Sequence, residues 1–265
     1  MRVETGDNVG IGGFIITGSA PKHVLVRAIG PSLARNGITD VLADPFLELH
    51  GPVGFVTITN NNWRDDPAQA ALLEADGLAP TNDLESAIDV ILAPGAYTAI
   101  VRGNPVPPPP RLPTPNPNGV ALVEVYDLDA AALSKLGNIS TRAFVNTGID
   151  IVIAGFILGD NGGDDRVIVR GLGPSLGDSG LSNVLGDPTL ELRNSDGTLL
   201  VSDNDWQDNP AQAADITAAG LAPSSNLEAA IATTLPPGLY TALLTGLNNG
   251  TGLGLIEVYD PGGGP

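Results

Sequence analysis

No cysteine occurs in the 265 residues, which excludes thiolate metal sites, thiol catalysis and disulfides. Histidine is limited to His23 and His50, both in the first half of the chain. Lysine is limited to Lys22 and Lys135, and the ten arginines are scattered singly. Against these twelve cations stand thirty carboxylates, a net charge of −18. With no basic stripe to neutralise phosphates, nucleic acid and anionic membranes are excluded as partners. Charged residues make up only 16% of the chain, below the roughly 25% of ordinary soluble domains, and aromatics only 4%. The longest apolar run, at 151–158, falls far short of the roughly 20 residues of a membrane-spanning helix. No signal peptide is legible. Met1 leads straight into strand-like sequence, so an export signal is expected to have been removed or to lie outside this chain.

What the chain does have is 34 glycines and 23 prolines among abundant Val, Ile, Leu and Thr, the composition of strands joined by turns. It also has internal repetition. Gly30-Pro31-Ser32-Leu33 returns as Gly173-Pro174-Ser175-Leu176, and Asp44-Pro45 as Asp187-Pro188. Trp63 returns as Trp206, and Pro67-Ala68-Gln69-Ala70-Ala71 as Pro210-Ala211-Gln212-Ala213-Ala214, all at a spacing of 143. Glu124-Val125-Tyr126-Asp127 matches Glu257-Val258-Tyr259-Asp260 at 133, because a proline-rich insertion, the loop 104–118, lengthens the first copy. A unit of about 130 residues is a whole domain, too long for a solenoid repeat.

Strands are expected in the second copy at 151–158, 166–172, 189–193, 198–203, 239–245 and 254–259, with hairpin signals at 160–163 and 195–197. Two short helices are expected to interrupt them in each copy. One follows Asn209-Pro210-Ala211-Gln212, the other a capping box at Ser225-Asn226-Leu227-Glu228. The first copy repeats both at 66–69 and 82–85. The reading is an all-β chain of two tandem β-sandwich, jelly-roll-like domains, 1–130 and 131–260, ending in a Gly/Pro tail at 261–265. At the seam, 133–142 has no counterpart in the first copy. It contains Ile139, Ser140 and Thr141, a first strand for the second domain, so the first domain begins a strand short unless residues precede it. Either that strand is an optional linker, or another subunit supplies it by strand addition.

Catalytic constellations are missing: Ser32 and Ser175 have no paired histidine, and no glycine pattern links a strand to a helix as a nucleotide loop requires. The chain is read as no enzyme and as needing no cofactor. Calcium is the one ion left open, through Asp203, Asp205 and Asp208, although the first copy has Asn60 and Asn62 at the first two of these places. Arg27 and Arg170 sit within apolar strands, as do Glu124 and Glu257. Such charges are expected to pair, Arg27 with Glu124 and Arg170 with Glu257, in a structural role. Trp63 and Trp206, each ahead of a capped helix, are expected to pack that helix on a sheet, with sugar stacking as the alternative.

The runs Asp187-Pro188-Thr189-Leu190-Glu191-Leu192, Asn204-Asp205-Trp206, Pro236-Pro237-Gly238-Leu239-Tyr240-Thr241 and Val258-Tyr259-Asp260 resemble tandem domains of bacterial exported proteins, and look like pre-peptidase C-terminal-type jelly rolls. The resemblance covers nearly all of both copies. It implies export to the cell surface or the medium and an adhesive, accessory or surface-forming role without catalysis. The expected partner is the protein itself, in a filament or surface layer. The alternative is an accessory module holding a glycan or calcium.

Overall fold

The computed structural model describes residues 1–105, 116–148, 150–159 and 163–262. The proline run at 106–115, the start of the acidic turn at 160–162 and the tail end at 263–265 lie outside the described residues. With 47% strand and 14% helix, the chain is an all-β protein of antiparallel sandwiches. It divides into two compact units, Met1–Leu136 and Gly137–Pro265. Residues 131–136 belong to the first, where Leu133 O accepts a hydrogen bond from Ser19 N.

The first unit contains β1 (Arg2–Val3), β2 (Gly10–Gly18), β3 (Lys22–Ile29), β4 (Pro45–His50), β5 (Ile58–Asn60), α1 (Pro67–Ala75), β6 (Ser86–Leu92), β7 (Gly95–Gly103), β8 (Gly119–Val120) and β9 (Leu122–Asp127). One sheet runs β2-β7-β4-β5, the other β6-β3-β9, and the short β1 pairs with β8. The second unit contains most of β10 (Ser134–Val145), then β11 (Val152–Leu158), β12 (Asp165–Leu172), α2 (Pro174–Asp178), β13 (Pro188–Asn194), β14 (Leu199–Asp203), α3 (Pro210–Ala218), β15 (Ala229–Leu235), β16 (Gly238–Gly246) and β17 (Gly252–Tyr259). Its sheets run β15-β12-β17-β10 and β11-β16-β13-β14. Counted one to eight along the unit, these orders are 6-3-8-1 and 2-7-4-5, two four-stranded sheets in jelly-roll connection.

Alternation along the strands separates two apolar layers. Phe14, Ile16, Val24, Val26, Leu47 and Leu49, all essentially without solvent exposure, fill the space between the first unit's sheets. The odd-numbered Leu25 faces the other way and packs with Trp63, Ala70, Leu73 and Ala87, beneath α1. Ile168, Trp206, Ile216 and Ala230 repeat this outer layer under α3. Both helices start where the sequence places caps. The Asp66 side chain accepts from Ala68 N and Gln69 N, the Asn209 side chain from Ala211 N and Gln212 N, and proline follows each cap. Gln69 and Gln212 then tie the helix to the edge strand by donating to Ala87 O and Ala230 O, both at 3.0 Å.

The second expected helix does not form. The residues at 82–85 and 225–228 make a turn that leads into β6 and β15. Ala229, Ala230 and Ile231 are wholly buried against β12, and that burial outranks alanine's helical preference. The short helices are supplied instead by the Gly-Pro-Ser-Leu runs, as a 3-10 turn at Pro31–Asn36 and as α2.

Candidate functional site

Each unit holds the same partly buried ionic ladder. β3 and β9 pair so that Arg27 lies opposite Glu124, and β12 and β17 so that Arg170 lies opposite Glu257. Arg27 donates from Nε (2.9 Å) and Nη2 (2.5 Å) to Glu124 Oε2, from Nη2 to the Tyr126 hydroxyl (2.7 Å) and from Nη1 to Leu78 O. Arg170 makes the same bonds to Glu257, Tyr259 and Leu221 O. Each tyrosine hydroxyl returns a bond to its glutamate at 3.1 Å. Burial, followed by the glutamate's charge, raises the pKa of Tyr126 and Tyr259, which keeps both phenols neutral donors. With its donors engaged by its own chain, each guanidinium is part of a structural brace.

A second buried carboxylate was not legible as such. Glu85 and Glu228 are completely buried. Glu228 Oε1 accepts from Gly173 N (3.0 Å), Ser175 N (3.0 Å) and Ser175 Oγ (2.5 Å), while Oε2 accepts from Ser225 N at 3.4 Å. Glu85 holds Gly30 N, Ser32 N, Ser32 Oγ and Asn82 N in the same way. This accounts for the Gly-Pro-Ser-Leu repeat. Proline bends the chain so that neighbouring N–H groups point at one carboxylate, and a Cβ on Gly30 or Gly173 would strike a backbone oxygen at 2.2 or 2.1 Å. The serine hydroxyls are therefore spent as structural donors. The available signal was a glutamate repeated at a spacing of 143 before an apolar run, which the capping-box pattern assigned to a helix.

Trp63 is 1% exposed and donates to Asn82 O (3.1 Å), with the Arg64 guanidinium 4.0 Å from the ring centroid; Trp206 is 7% exposed and donates to Ser225 O at 3.2 Å. Both rings lie in the layer beneath the helices, so neither offers an open face of the kind sugar stacking uses. An open hollow beside Trp206 is lined mainly by small residues of α3, among them Ala213, Ala214 and Ala218. Tyr97 and Tyr240 explain the Pro-Gly-x-Tyr-Thr repeat. Each stacks on the phenylalanine opposite it, Phe14 or Phe156, and donates to the carbonyl four residues earlier, Ala93 O or Pro236 O. Tyr240→Phe removes that one bond, and we expect a loss of about 1 kcal/mol in urea unfolding; no change would place the hydroxyl's partner elsewhere.

Asp203, Asp205 and Asp208 are near one another. Burial raises the pKa of Asp203, and the charges of Asp208 and Asp205 add to it. Asp203 Oδ2, however, accepts from Ala230 N at 2.8 Å, the bond that Asn60 Oδ1 makes to Ala87 N in the first unit. Among the described residues no three of His, Cys, Asp and Glu gather as a metal ion would need. Nor, among them, is any helix long and apolar enough to cross a membrane. The histidines make local contacts, His23 with Asp89 at 2.6 Å and His50 with Glu48 at 3.2 Å.

Ile139, Ser140 and Thr141 lie in β10, opposite Val258, Glu257 and Ile256 of β17. The equivalent edge in the first unit is β9, which has β3 as its only strand neighbour among the described residues. Among the described residues, the stub at Met1–Val3 follows β10's path. Ala121 N donates to Met1 O (2.9 Å), and Met1 N to Ala121 O (3.0 Å). By strand alternation, Val123, Val125 and Asp127 direct their N–H and C=O groups the same way, past the end of that stub. Asp260 N, the counterpart of Asp127 N, is taken by Gly137 O at 3.0 Å. The side chains register the difference too. Ile256 and Val258 are 0% and 5% exposed, whereas their counterparts Val123 and Val125 are only half-buried, and Leu122 is 42% exposed.

A scan with protein-family models and a search of curated proteins each return no match. Among solved structures, the VP2 subviral particle of infectious bursal disease virus is similar over the whole of this chain and 71% of that one, at 11% identity and a TM-score of 0.18. A likeness that slight carries no argument about fold or function.

Proposed function

We propose that this protein is an extracellular structural subunit that associates with its own kind, another subunit adding a strand to the β9 edge. The observation that supports this reading is the contrast between two copies of one fold. β17 is covered by β10, while β9 keeps outward-facing main-chain groups at Val123, Val125 and Asp127 and leaves its apolar side chains half-covered. A sheet edge of this kind is a template for strand addition. The recurring arginine, tyrosine and Gly-Pro-Ser-Leu serine side chains are engaged internally by the Arg–Glu–Tyr ladders and the buried glutamates, so the reading assigns the work to surfaces and not to a reactive centre. A charge of −18 opposes association, so assembly is expected to strengthen as salt rises.

Size-exclusion chromatography with light scattering, together with electron microscopy of the full chain over a range of concentrations, tests the proposal. Oligomers or filaments are expected, and Val125→Pro, which deletes an outward N–H without touching the β3 ladder, is expected to abolish them while leaving the melting profile nearly intact. Monomers at every concentration and ionic strength would overturn it.

A further inference from the structure

Among the described residues, ten buried side-chain oxygen or nitrogen atoms have no hydrogen-bond partner. Six of them fall at three positions shared by both units: Asp44 Oδ1, Asn61 Oδ1 and Asn62 Oδ1 in the first, Asp187 Oδ1, Asn204 Oδ1 and Asp205 Oδ1 in the second. Each exposes under 1 Å² to solvent. Unpartnered buried polar atoms are rare and each calls for a physical reason. Here the same three recur in two copies whose sequences differ at the third position, which marks them as a property of the fold.

Strand register makes the three positions neighbours. β4 pairs with β5 so that Leu47 faces Asn60, and β13 with β14 so that Leu190 faces Asp203. Continuing either register toward the start of β4 or β13 sets the aspartate that precedes the strand beside the two residues that follow its partner strand. In the first unit the Ser86 hydroxyl fastens this corner by donating to both Pro45 O (2.5 Å) and Asn61 O (2.9 Å). In four of these side chains the other polar atom is engaged and leaves Oδ1 unpartnered. Asp44 Oδ2 accepts from Asn104 Nδ2 (2.9 Å), Asn62 Nδ2 donates to Asp65 (3.4 Å), and Asn204 Nδ2 donates to Asp205 Oδ2 (3.3 Å).

We propose that each unit holds a calcium ion at this corner, on Asp44, Asn61 and Asn62 in the first and on Asp187, Asn204 and Asp205 in the second. All six atoms are acceptors with no N–H or O–H aimed at them, so a cation satisfies all three in a unit at once, where a single water can donate to only two. The donors are hard oxygens of mixed charge without nitrogen or sulfur, which suits calcium, with main-chain carbonyls and water completing its six to eight ligands. The Asp187 and Asp205 carboxylates are close enough for their charges to interact. The second site carries two carboxylates to the first site's one and binds more tightly. This set differs from Asp203, Asp205 and Asp208: Asp203 is claimed by Ala230 N, and the asparagines take part. It is also independent of the strand-addition reading, because neither corner includes β9.

Calorimetric titration of the full chain with CaCl2 after chelator dialysis, with thermal melting in parallel, tests the site. Two binding events and a rise in melting temperature with Ca²⁺ are expected. Asp205→Asn gives the second corner the donor set of the first, a set already accommodated by this fold, and is expected to weaken the tighter event about tenfold. Asp187→Ala is expected to remove that event while leaving the other. Absence of heat and of a melting shift up to millimolar Ca²⁺ would overturn the proposal and assign the six oxygens to buried water. Binding unchanged by Asp205→Asn would overturn it as well, by placing the ion elsewhere on the acidic surface.

Discussion

Replacing Glu228 with alanine is expected to lower the melting temperature of the second unit by roughly 10 °C or more. The carboxylate is completely buried and receives four donors, three of them on Oε1. Alanine leaves Gly173 N, Ser175 N and the Ser175 hydroxyl without an acceptor, at about 1–3 kcal/mol per buried group. Even the lower bound, about 3 kcal/mol, corresponds to a shift of that size in a domain of this length. Glu228→Gln discriminates the mechanism. The amide oxygen can take the place of Oε1 and keep three of the bonds, while the amide nitrogen meets only Ser225 N, so the loss is expected to be about 1–2 kcal/mol. Scanning calorimetry of the full chain reads both variants. A Glu228→Ala protein that melts within a degree or two of the parent would show that the Gly-Pro-Ser-Leu turn holds itself and does not depend on the buried carboxylate.

Trp63→Ala should be nearly as damaging, at about 3–5 kcal/mol, because it opens a cavity in the layer formed by Leu25, Ala70, Leu73 and Ala87. It also strips Asn82 O of its indole donor and Arg64 of the ring beneath it. Trp206→Ala should cost somewhat less, its ring being slightly more exposed. The competing idea of a sugar platform predicts the opposite pattern: unaltered stability with glycan binding lost. Urea unfolding and a glycan array run on the same two variants separate the alternatives. A stable Trp63→Ala protein would mean that α1 is held by its cap and by Gln69 rather than by the ring.

Much of the architecture is written in local pattern. Alternation marks the strands, Asp66-Pro67 and Asn209-Pro210 mark helix starts, and glycine at 197, with φ +77, closes the hairpin expected at 195–197. The failures are also local in origin. The Glu228 side chain does reach back to Ser225 N as in a capping box, yet the chain beyond them is drawn into a sheet edge. The 143-residue spacing shows that Glu85 and Glu228 are equivalent. Their use could not be read, because the donors they serve lie 53 to 55 residues away along the chain.

By itself, then, the amino-acid order determined a duplicated β protein without thiol chemistry, the sites of its helix caps, and which residues recur. These follow from composition, from periods of two to a few residues, which act within a few bonds of each position, and from the repeat at a spacing of 143. Tertiary structure showed how β10 covers β17 while β9 keeps β3 as its only strand neighbour among the described residues, and it alone decided that a buried glutamate gathers the Gly-Pro-Ser-Leu turn and that three unpartnered oxygens fall at neighbouring positions near the start of β4 and again of β13. Those outcomes depend on strand register and sheet order, which bring together groups 120 or more residues apart and which no local pattern encodes.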